Sequence, residues 1–213
     1  RQVGKTFTVG NLIIGLCLEH PGFRAIWTSH HGSTTKNTLQ SMESMARKPK
    51  LWPHVANVYT NNNDMRILFT NGSVIMFGAR EHGFGRGMDG IDVLVFDEAQ
   101  KLGIKALEDM VPATNQARNP HGGLIFFLGT PPRPADDGEA FTSKREQALS
   151  GNSDDDMVYV EFSADEDASS EDRSQWPKMN PSYPSRTPLK SMVEIMASLP
   201  SVVLGFLAAI VFA

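Results

Sequence analysis

The amino-acid sequence predicts an α/β fold with a mostly parallel sheet that helices cover on both faces. Short apolar stretches alternate with amphipathic stretches of helical length between residues 7 and 129. Two of the apolar stretches, residues 93–96 and 123–128, contain only apolar residues and glycine, as is typical of parallel strands buried on both faces. A Gly-Lys-Thr tripeptide directly precedes the first amphipathic stretch. A loop of this kind joins a strand to a helix, which also favours an α/β fold.

The chain begins with what reads as the second half of a phosphate-binding loop. In such a loop, backbone N–H groups wrap the β-phosphate, a lysine reaches the β- and γ-phosphate oxygens, and a threonine hydroxyl binds Mg²⁺. The predicted nucleotide-binding residues are Arg1, Gln2, Val3, Gly4, Lys5 and Thr6. An amphipathic run over residues 7–19 predicts the helix whose N-terminus faces the phosphates. A surface turn is the alternative interpretation, and a second motif decides between the two.

That second motif is an apolar strand, residues 93–96, that ends in Asp97 and Glu98. A buried parallel strand delivers such acids at its carboxyl end. Asp97 would hold Mg²⁺ through a water, and Glu98 would orient and polarise the water that attacks the γ-phosphate. A strand followed by a solvated acidic turn is the alternative for this motif alone. Paired with Gly4-Lys5-Thr6, it indicates a nucleotide hydrolase that uses ATP and Mg²⁺.

The remaining elements follow from hydrophobic periodicity and from turn residues. Asn71-Gly72 predicts a tight hairpin turn because both residue types tolerate positive φ angles. A glycine-rich loop over residues 78–90 leads into the strand that carries the acids. Helices are predicted over 7–19, 34–47, 104–110 and 189–199, and strands over 24–29, 65–69, 74–77, 93–96, 123–128 and 157–162. One further strand is expected ahead of Arg1.

Composition excludes several classes of protein. The formal net charge of the 213 residues is −4, so no overall basic surface is present and any DNA contact would be local. Cys17 is the single cysteine, which is expected to be a small buried hydrophobe and fits a reducing cytosol. The apolar run from Val202 to Ala213 is shorter than the about 20 residues that a membrane-spanning helix needs. No signal peptide is recognisable, and no membrane contact is expected.

With these motifs in order, the chain resembles the N-terminal ATPase domain of a tailed-bacteriophage terminase large subunit, the motor that packages DNA. The resemblance runs from residue 1 to about Leu199. The features that carry it are Arg1 four residues before Lys5, Arg86-Gly87 about a dozen residues before the acidic strand end, Glu98-Ala99-Gln100, and Trp176 followed by Asn180-Pro181. It implies a three-layer P-loop NTPase fold of the RecA-like, ASCE type.

The resemblance also implies roles and partners. The activity would be ATP hydrolysis that powers the movement of viral double-stranded DNA into a procapsid, in the host bacterial cytoplasm. The partners would be the portal protein and the terminase small subunit, and the subunits would form a homo-oligomeric ring. Lys5 and Glu98 would be catalytic, Thr6 and Asp97 would bind Mg²⁺, and Gly129 with Thr130 matches the motif that couples hydrolysis to motion. For Thr130, a Thr-Pro turn is the alternative.

Arg86 is expected to act as a finger that reaches the γ-phosphate of the neighbouring subunit. A solvated loop arginine is the alternative, and Arg80 and Arg133 compete for the role.

Along the chain, three parts are expected. They are an ATPase core over 1–150, whose first strand and loop start lie ahead of Arg1, a linker subdomain over 151–199 leading toward an absent nuclease domain, and an atypical apolar tail over 200–213.

Two rival functions remain at this level. The first is another DNA-dependent ATPase or helicase core, which would need a second ATPase-like domain with its own arginines. The second is a truncated prophage remnant without activity. The apolar tail departs from the polar, aromatic-containing continuation expected after the linker helix. A frameshift, a truncation or a decayed prophage copy would explain this difference.

Overall fold

A computed structural model describes residues 4–119, 122–133, 136–151, 157–165, 167–169, 171–179 and 206–212. Strands and helices alternate through these residues, as the sequence predicts, except for four successive strands between residues 55 and 97. The helices are α1 Lys5–Glu19, α2 Gly32–Ala46, α3 Ile104–Met110, α4 Glu139–Leu149 and α5 Trp176–Met179. The strands are β1 Arg24–Ser29, β2 Val55–Asn61, β3 Asp64–Phe69, β4 Val74–Ala79, β5 Val93–Asp97, β6 Leu124–Gly129, β7 Met157–Phe162 and β8 Phe206–Phe212.

The strands form one sheet in the order β2-β3-β4-β1-β5-β6-β8-β7. The four neighbours β4, β1, β5 and β6 are parallel, and the pairs outside this core are antiparallel. In register, Thr28 of β1 lies opposite both Gly78 of β4 and Phe96 of β5. The predicted parallel sheet is therefore present as a four-stranded core whose carboxyl ends meet at one edge.

Helices cover both faces of this core, because alternate residues of each strand point to opposite sides. On one face, α1 and α2 pack against a cluster that includes Trp27 and Val95. On the other face, residues of α3 and α4 pack against Phe96 and Phe127, whose rings stack with centroids 5.3 Å apart. All five residues of β5 are buried, which explains the apolar run that precedes its acids.

The hairpin predicted at Asn71-Gly72 joins β3 to β4. Only Gly72 adopts a positive φ, of 85°. The Asn71 side chain instead donates from Nδ2 to the carbonyl oxygens of Cys17, at 2.8 Å, and Leu18, at 3.4 Å. The turn thus satisfies two carbonyl groups in the last turn of α1, where no helical N–H remains to bond them.

Four elements were not predicted from the sequence: β2, α4, the four-residue helix α5 and the strand β8. The edge strand β2 pairs only with β3, and four of its seven residues are exposed, so its sequence carries little apolar signal. The helix α4 buries only Ala140 and Phe141, which leaves it a weak amphipathic pattern. The helix predicted over 189–199 lies outside the described residues, as do Asn180 and Pro181.

The predicted tail does not stand apart from the sheet. Its residues 206–212 form β8, which lies between β6 and β7 and is antiparallel to both. Each of the three predicted parts therefore contributes at least one strand to the same sheet, while the division at residues 150 and 199 stays a prediction. No helix in the described ranges is long and apolar enough to cross a membrane.

Cys17 provides a test of this packing. Its side chain is fully buried in the cluster beneath α1, and burial raises the pKa of its thiol to about 12. Since the thiolate is the reactive form, we expect a thiol reagent such as Ellman's reagent to label Cys17 only as the chain unfolds in denaturant. Cys17 is the single cysteine, so the signal is unambiguous. Rapid labelling of the native chain would contradict the buried position.

Candidate active site

The residues predicted to act on nucleotide converge at the carboxyl edge of the parallel core. Each of the four parallel strands ends there and is followed at once by polar residues. These are His30 and His31 after β1, Arg80 and Glu81 after β4, Asp97 and Glu98 at the end of β5, and Gly129 and Thr130 at the end of β6. The start of α1 reaches the same edge, because Lys5 Nζ donates to the Gly129 carbonyl oxygen at 3.3 Å.

The described part of the predicted phosphate loop consists of Gly4 and the first residues of α1. Gly4 precedes α1 with φ 84° and ψ 15°, a left-handed conformation that any residue with a Cβ adopts at a cost. The helix begins at Lys5, and Thr6 lies half-buried in its first turn. A helix N-terminus presents N–H groups and a partial positive charge, which suits phosphate. Arg1, Gln2 and Val3 lie outside the described residues.

Asp97 is the last residue of β5 and is 8% exposed. Its Oδ1 accepts the backbone N–H of Glu98 at 2.9 Å. Burial raises the pKa of the Asp97 carboxyl, against the effect of that hydrogen bond and of the positive charge on Lys5. A carboxylate here and the Thr6 hydroxyl are oxygen donors of the kind that Mg²⁺ prefers, so the donor chemistry fits the predicted ion.

Glu98 has an unusual backbone. Its φ of 53° and ψ of 44° make it the one non-glycine residue with positive φ in the described ranges. Its carboxylate accepts the backbone N–H of His30 on Oε2 at 3.2 Å and the Thr34 hydroxyl on Oε1 at 3.4 Å. Such a conformation persists only when surrounding contacts hold it, and it is concentrated at functional sites.

The end of β6 is tied to the turn that follows Glu98. Gln100 Oε1 accepts the Thr130 backbone N–H at 3.3 Å. A Cβ on Gly129 would lie 2.8 Å from the Phe141 ring and 3.0 Å from Gln100 Oε1, so only glycine fits without movement of its neighbours. Glu98 and Thr130 are thus linked through Gln100, two residues beyond Glu98. The coupling role of Gly129 and Thr130 stays a prediction.

Arg86 does not lie among these groups. Its Nε is 2.9 Å from Asp109 Oδ2 on α3, and its side chain is 61% exposed. The loop that carries it is packed on both sides of Arg86, because Phe84 and Met88 contact the core cluster that includes Phe96 and a Cβ on Gly85 would meet Met110 at 2.4 Å. An exposed ion pair contributes about 0–1 kcal/mol, so little energy opposes its release. The role of Arg86 in a neighbouring subunit stays a prediction.

Arg80, which the sequence suggests only as a competing finger, points into its own subunit. Its Nη1 donates to the carbonyl oxygen and the hydroxyl of Thr28, and its Nη2 donates to the carbonyl oxygen of Glu98. Burial lowers the pKa of Arg80 to about 10, although Asp97 and Glu98 oppose this shift. The sequence does indicate that Arg80 directly follows a strand. It does not show that this strand, β4, lies beside β1, which carries Thr28.

The profile of the family described as terminase large subunit, T4likevirus-type, N-terminal, matches residues 1–111. The crystal structure of the HK97 bacteriophage large terminase aligns with a TM-score of 0.69 at 18% identity, over 94% of this chain and 42% of that one. The large terminase ATPase domain of Thermus phage P74-26 aligns with a TM-score of 0.48 at 14% identity, over 62% of this chain and 57% of that one. No curated protein sequence matches.

The chain spans less than half the length of the HK97 protein. At 18% identity, the similarity between the two proteins is one of fold.

Proposed function

Since the chain belongs to the terminase large subunit family, T4likevirus-type, N-terminal, we propose that it hydrolyses ATP to move viral double-stranded DNA into a procapsid. The observation that carries the proposal is the meeting of Lys5 with Asp97, Glu98 and Gly129 at one edge of the parallel core. A fixed cation at the start of a helix and two acids at the end of a strand are groups of the kind that phosphoryl transfer to water requires.

Lys5 would bind the β- and γ-phosphates and stabilise the negative charge that develops on the transferred group. The Gly129 carbonyl that holds its Nζ in this structure would give way to phosphate oxygen. Thr6 and Asp97 would hold Mg²⁺, which would neutralise part of the negative charge of the phosphates. Asp97 is 8% exposed and its Oδ1 accepts the Glu98 N–H, contacts that would restrict its carboxylate to one orientation.

Glu98 would orient and polarise the attacking water and accept the proton that the water loses. Its carboxylate is already fixed by the His30 N–H and the Thr34 hydroxyl, so little rearrangement is needed to hold a water. The link from Glu98 through Gln100 to Thr130 is a short route by which a change at the γ-phosphate would reach β6. This supports Gly129 and Thr130 as the coupling segment.

The family supports DNA and a packaging complex as partners. We propose double-stranded DNA, the portal protein and the terminase small subunit, met in the host bacterial cytoplasm. The formal charge of −4 restricts DNA contact to local basic surface, since phosphate neutralisation dominates affinity for DNA. A homo-oligomeric ring would place Arg86 of one subunit at the phosphates of the next.

The proposal is tested at Lys5. We expect Lys5→Ala to lower ATP affinity at least about tenfold, because the phosphates lose a charge-assisted contact, while α1 stays folded since alanine favours helix. Calorimetric titration with ATP and Mg²⁺ measures the change. Lys50→Ala is the matched control, because Lys50 is exposed beyond the end of α2, and we expect wild-type affinity. Equal affinity in the wild type and Lys5→Ala would overturn the site. ATP binding without any turnover, alone or in assembly, would identify an inactive remnant.

A further inference from the structure

We propose that Arg80 is a positioning residue that holds the catalytic carboxylate of Glu98 in place through the main chain of Glu98. This inference rests on the proposed ATP hydrolysis and adds to it a residue that acts from within the same subunit. It assigns to Arg80 a role different from that of a finger.

The guanidinium of Arg80 connects two strands of the sheet. Nη1 donates to the Thr28 carbonyl oxygen at 3.0 Å and to Thr28 Oγ1 at 3.1 Å, and Nη2 donates to the Glu98 carbonyl oxygen at 3.2 Å. Thr28 is itself fully buried and donates its hydroxyl to the Val95 carbonyl oxygen of β5 at 2.9 Å. Arg80 is therefore anchored on the rigid core and reaches from it to the residue after β5.

The contact with Glu98 falls where the backbone is least favourable. A glutamate at φ 53° is disfavoured by its own Cβ. The main chain of Glu98 is held on its N–H by Asp97 Oδ1 and on its carbonyl oxygen by the Lys101 N–H and by Arg80. Of these partners, only Arg80 comes from outside the segment 97–101. Arg80 thus ties the main chain of Glu98 to β1 through Thr28.

The backbone conformation of Glu98 determines where its side chain goes. In the observed turn, the carboxylate meets the His30 N–H and the Thr34 hydroxyl. If the residue relaxed to negative φ, its Cα–Cβ bond would point elsewhere and both contacts would be lost. Arg80 therefore acts on the carboxylate without touching it, by keeping the peptide groups around it in one orientation.

Arginine suits this position better than lysine would. The planar fork donates several hydrogen bonds in fixed directions, and here it reaches three acceptors on two residues. An ammonium group on a lysine would reach one or two of them. All three acceptors belong to its own chain, so these contacts support a role within the subunit.

The test is a double-mutant cycle between Arg80 and Glu98. Arg80→Met is made in the wild type and in Glu98→Gln, and kcat, KM and ATP affinity are measured, with single-turnover assays on labelled ATP for the slow variants. We expect Arg80→Met to lower kcat about 10- to 100-fold in the wild type and less than about threefold in Glu98→Gln, because a lost carboxylate no longer needs positioning. ATP affinity should stay within about threefold of the wild type.

Arg24→Met is the matched control. Arg24 begins β1, at the opposite end of the strand from the site, and its Nη1 also donates to a carbonyl oxygen, that of Asp89, at 2.8 Å. We expect it to leave kcat unchanged. Arg80→Lys should give a kcat between those of Arg80→Met and the wild type, and it decides the matter if Arg80→Met does not fold.

Three results would overturn the inference: a wild-type kcat in Arg80→Met or in Arg80→Lys, equal losses in both Glu98 backgrounds, or a loss confined to ATP affinity. A wild-type chain and an Arg24→Met chain that both lack turnover in every state would instead refute the proposed ATPase, and the positioning role would fall with it.

Discussion

We expect the Arg86→Ala chain, in its assembled state, to hydrolyse ATP about 10³- to 10⁵-fold more slowly than the wild type, the range over which such fingers act. ATP binding by an isolated subunit should be nearly intact, because the arginine serves a neighbouring site. Arg86 lies between Gly85 and Gly87, which both have positive φ, and it is bound to Asp109 by one exposed ion pair. It is thus free to exchange Asp109 for phosphate.

A mixing experiment distinguishes a finger that acts between subunits from one that acts within a subunit. Arg86→Ala subunits keep their own Lys5 and Glu98, and Glu98→Gln subunits keep Arg86. A complete site forms wherever a Glu98→Gln subunit presents its arginine to an Arg86→Ala subunit, so the mixture should recover turnover that neither variant shows alone. If both variants assemble and mixing restores nothing, the finger is another residue or acts in its own subunit.

Two further variants sharpen this result. Asp109→Asn removes the partner of Arg86 in this structure, and we expect assembled turnover at or above the wild-type rate. Arg133→Ala tests the competing arginine, which is exposed on the loop after β6. A loss in Arg133→Ala with full activity in Arg86→Ala would move the finger to that loop.

The second large effect is expected at Glu98. Glu98→Gln should lower kcat about 10²- to 10⁴-fold, since one pre-organised catalytic group is lost. The amide keeps the shape of the side chain, so its oxygen still accepts the His30 N–H and its NH₂ group still meets the Thr34 hydroxyl. ATP binding should therefore survive, and calorimetry beside a phosphate-release assay separates the two quantities.

Glu108→Gln is the control for this variant. Glu108 lies exposed on α3, and the same change of charge there should leave kcat unaltered. If Glu98→Gln turned over ATP at the wild-type rate while Glu108→Gln behaved as expected, another group would be orienting the water. The hydrogen bonds from His30 and Thr34 to Glu98 would then not serve to fix a catalytic carboxylate.

Much of the fold was accessible from the sequence because its signals are local. The segments predicted as strands that form β1, β5 and β6 are buried along nearly their whole length. Buried strands of this kind can be recognised from their apolar composition. Gly72 adopts the positive φ that Asn-Gly turns favour. Lys5, Asp97 and Glu98 were predicted to meet because a loop before a helix and acids after a parallel strand share one edge of a sheet.

What the tertiary structure decided is which distant segments lie side by side. Strand order places β4 against β1, and only that order brings Arg80 to Thr28 and Glu98. The strand order also places β8 between β6 and β7. The left-handed turn at Glu98 is also a tertiary result, because the intrinsic preference of glutamate opposes it and contacts from two strands outweigh that preference.

The sequence by itself determined the chemistry of the residues and the local elements that carry them. Long-range packing determined how those residues are oriented, because pairing energies between strands depend on partners that no local stretch of sequence contains.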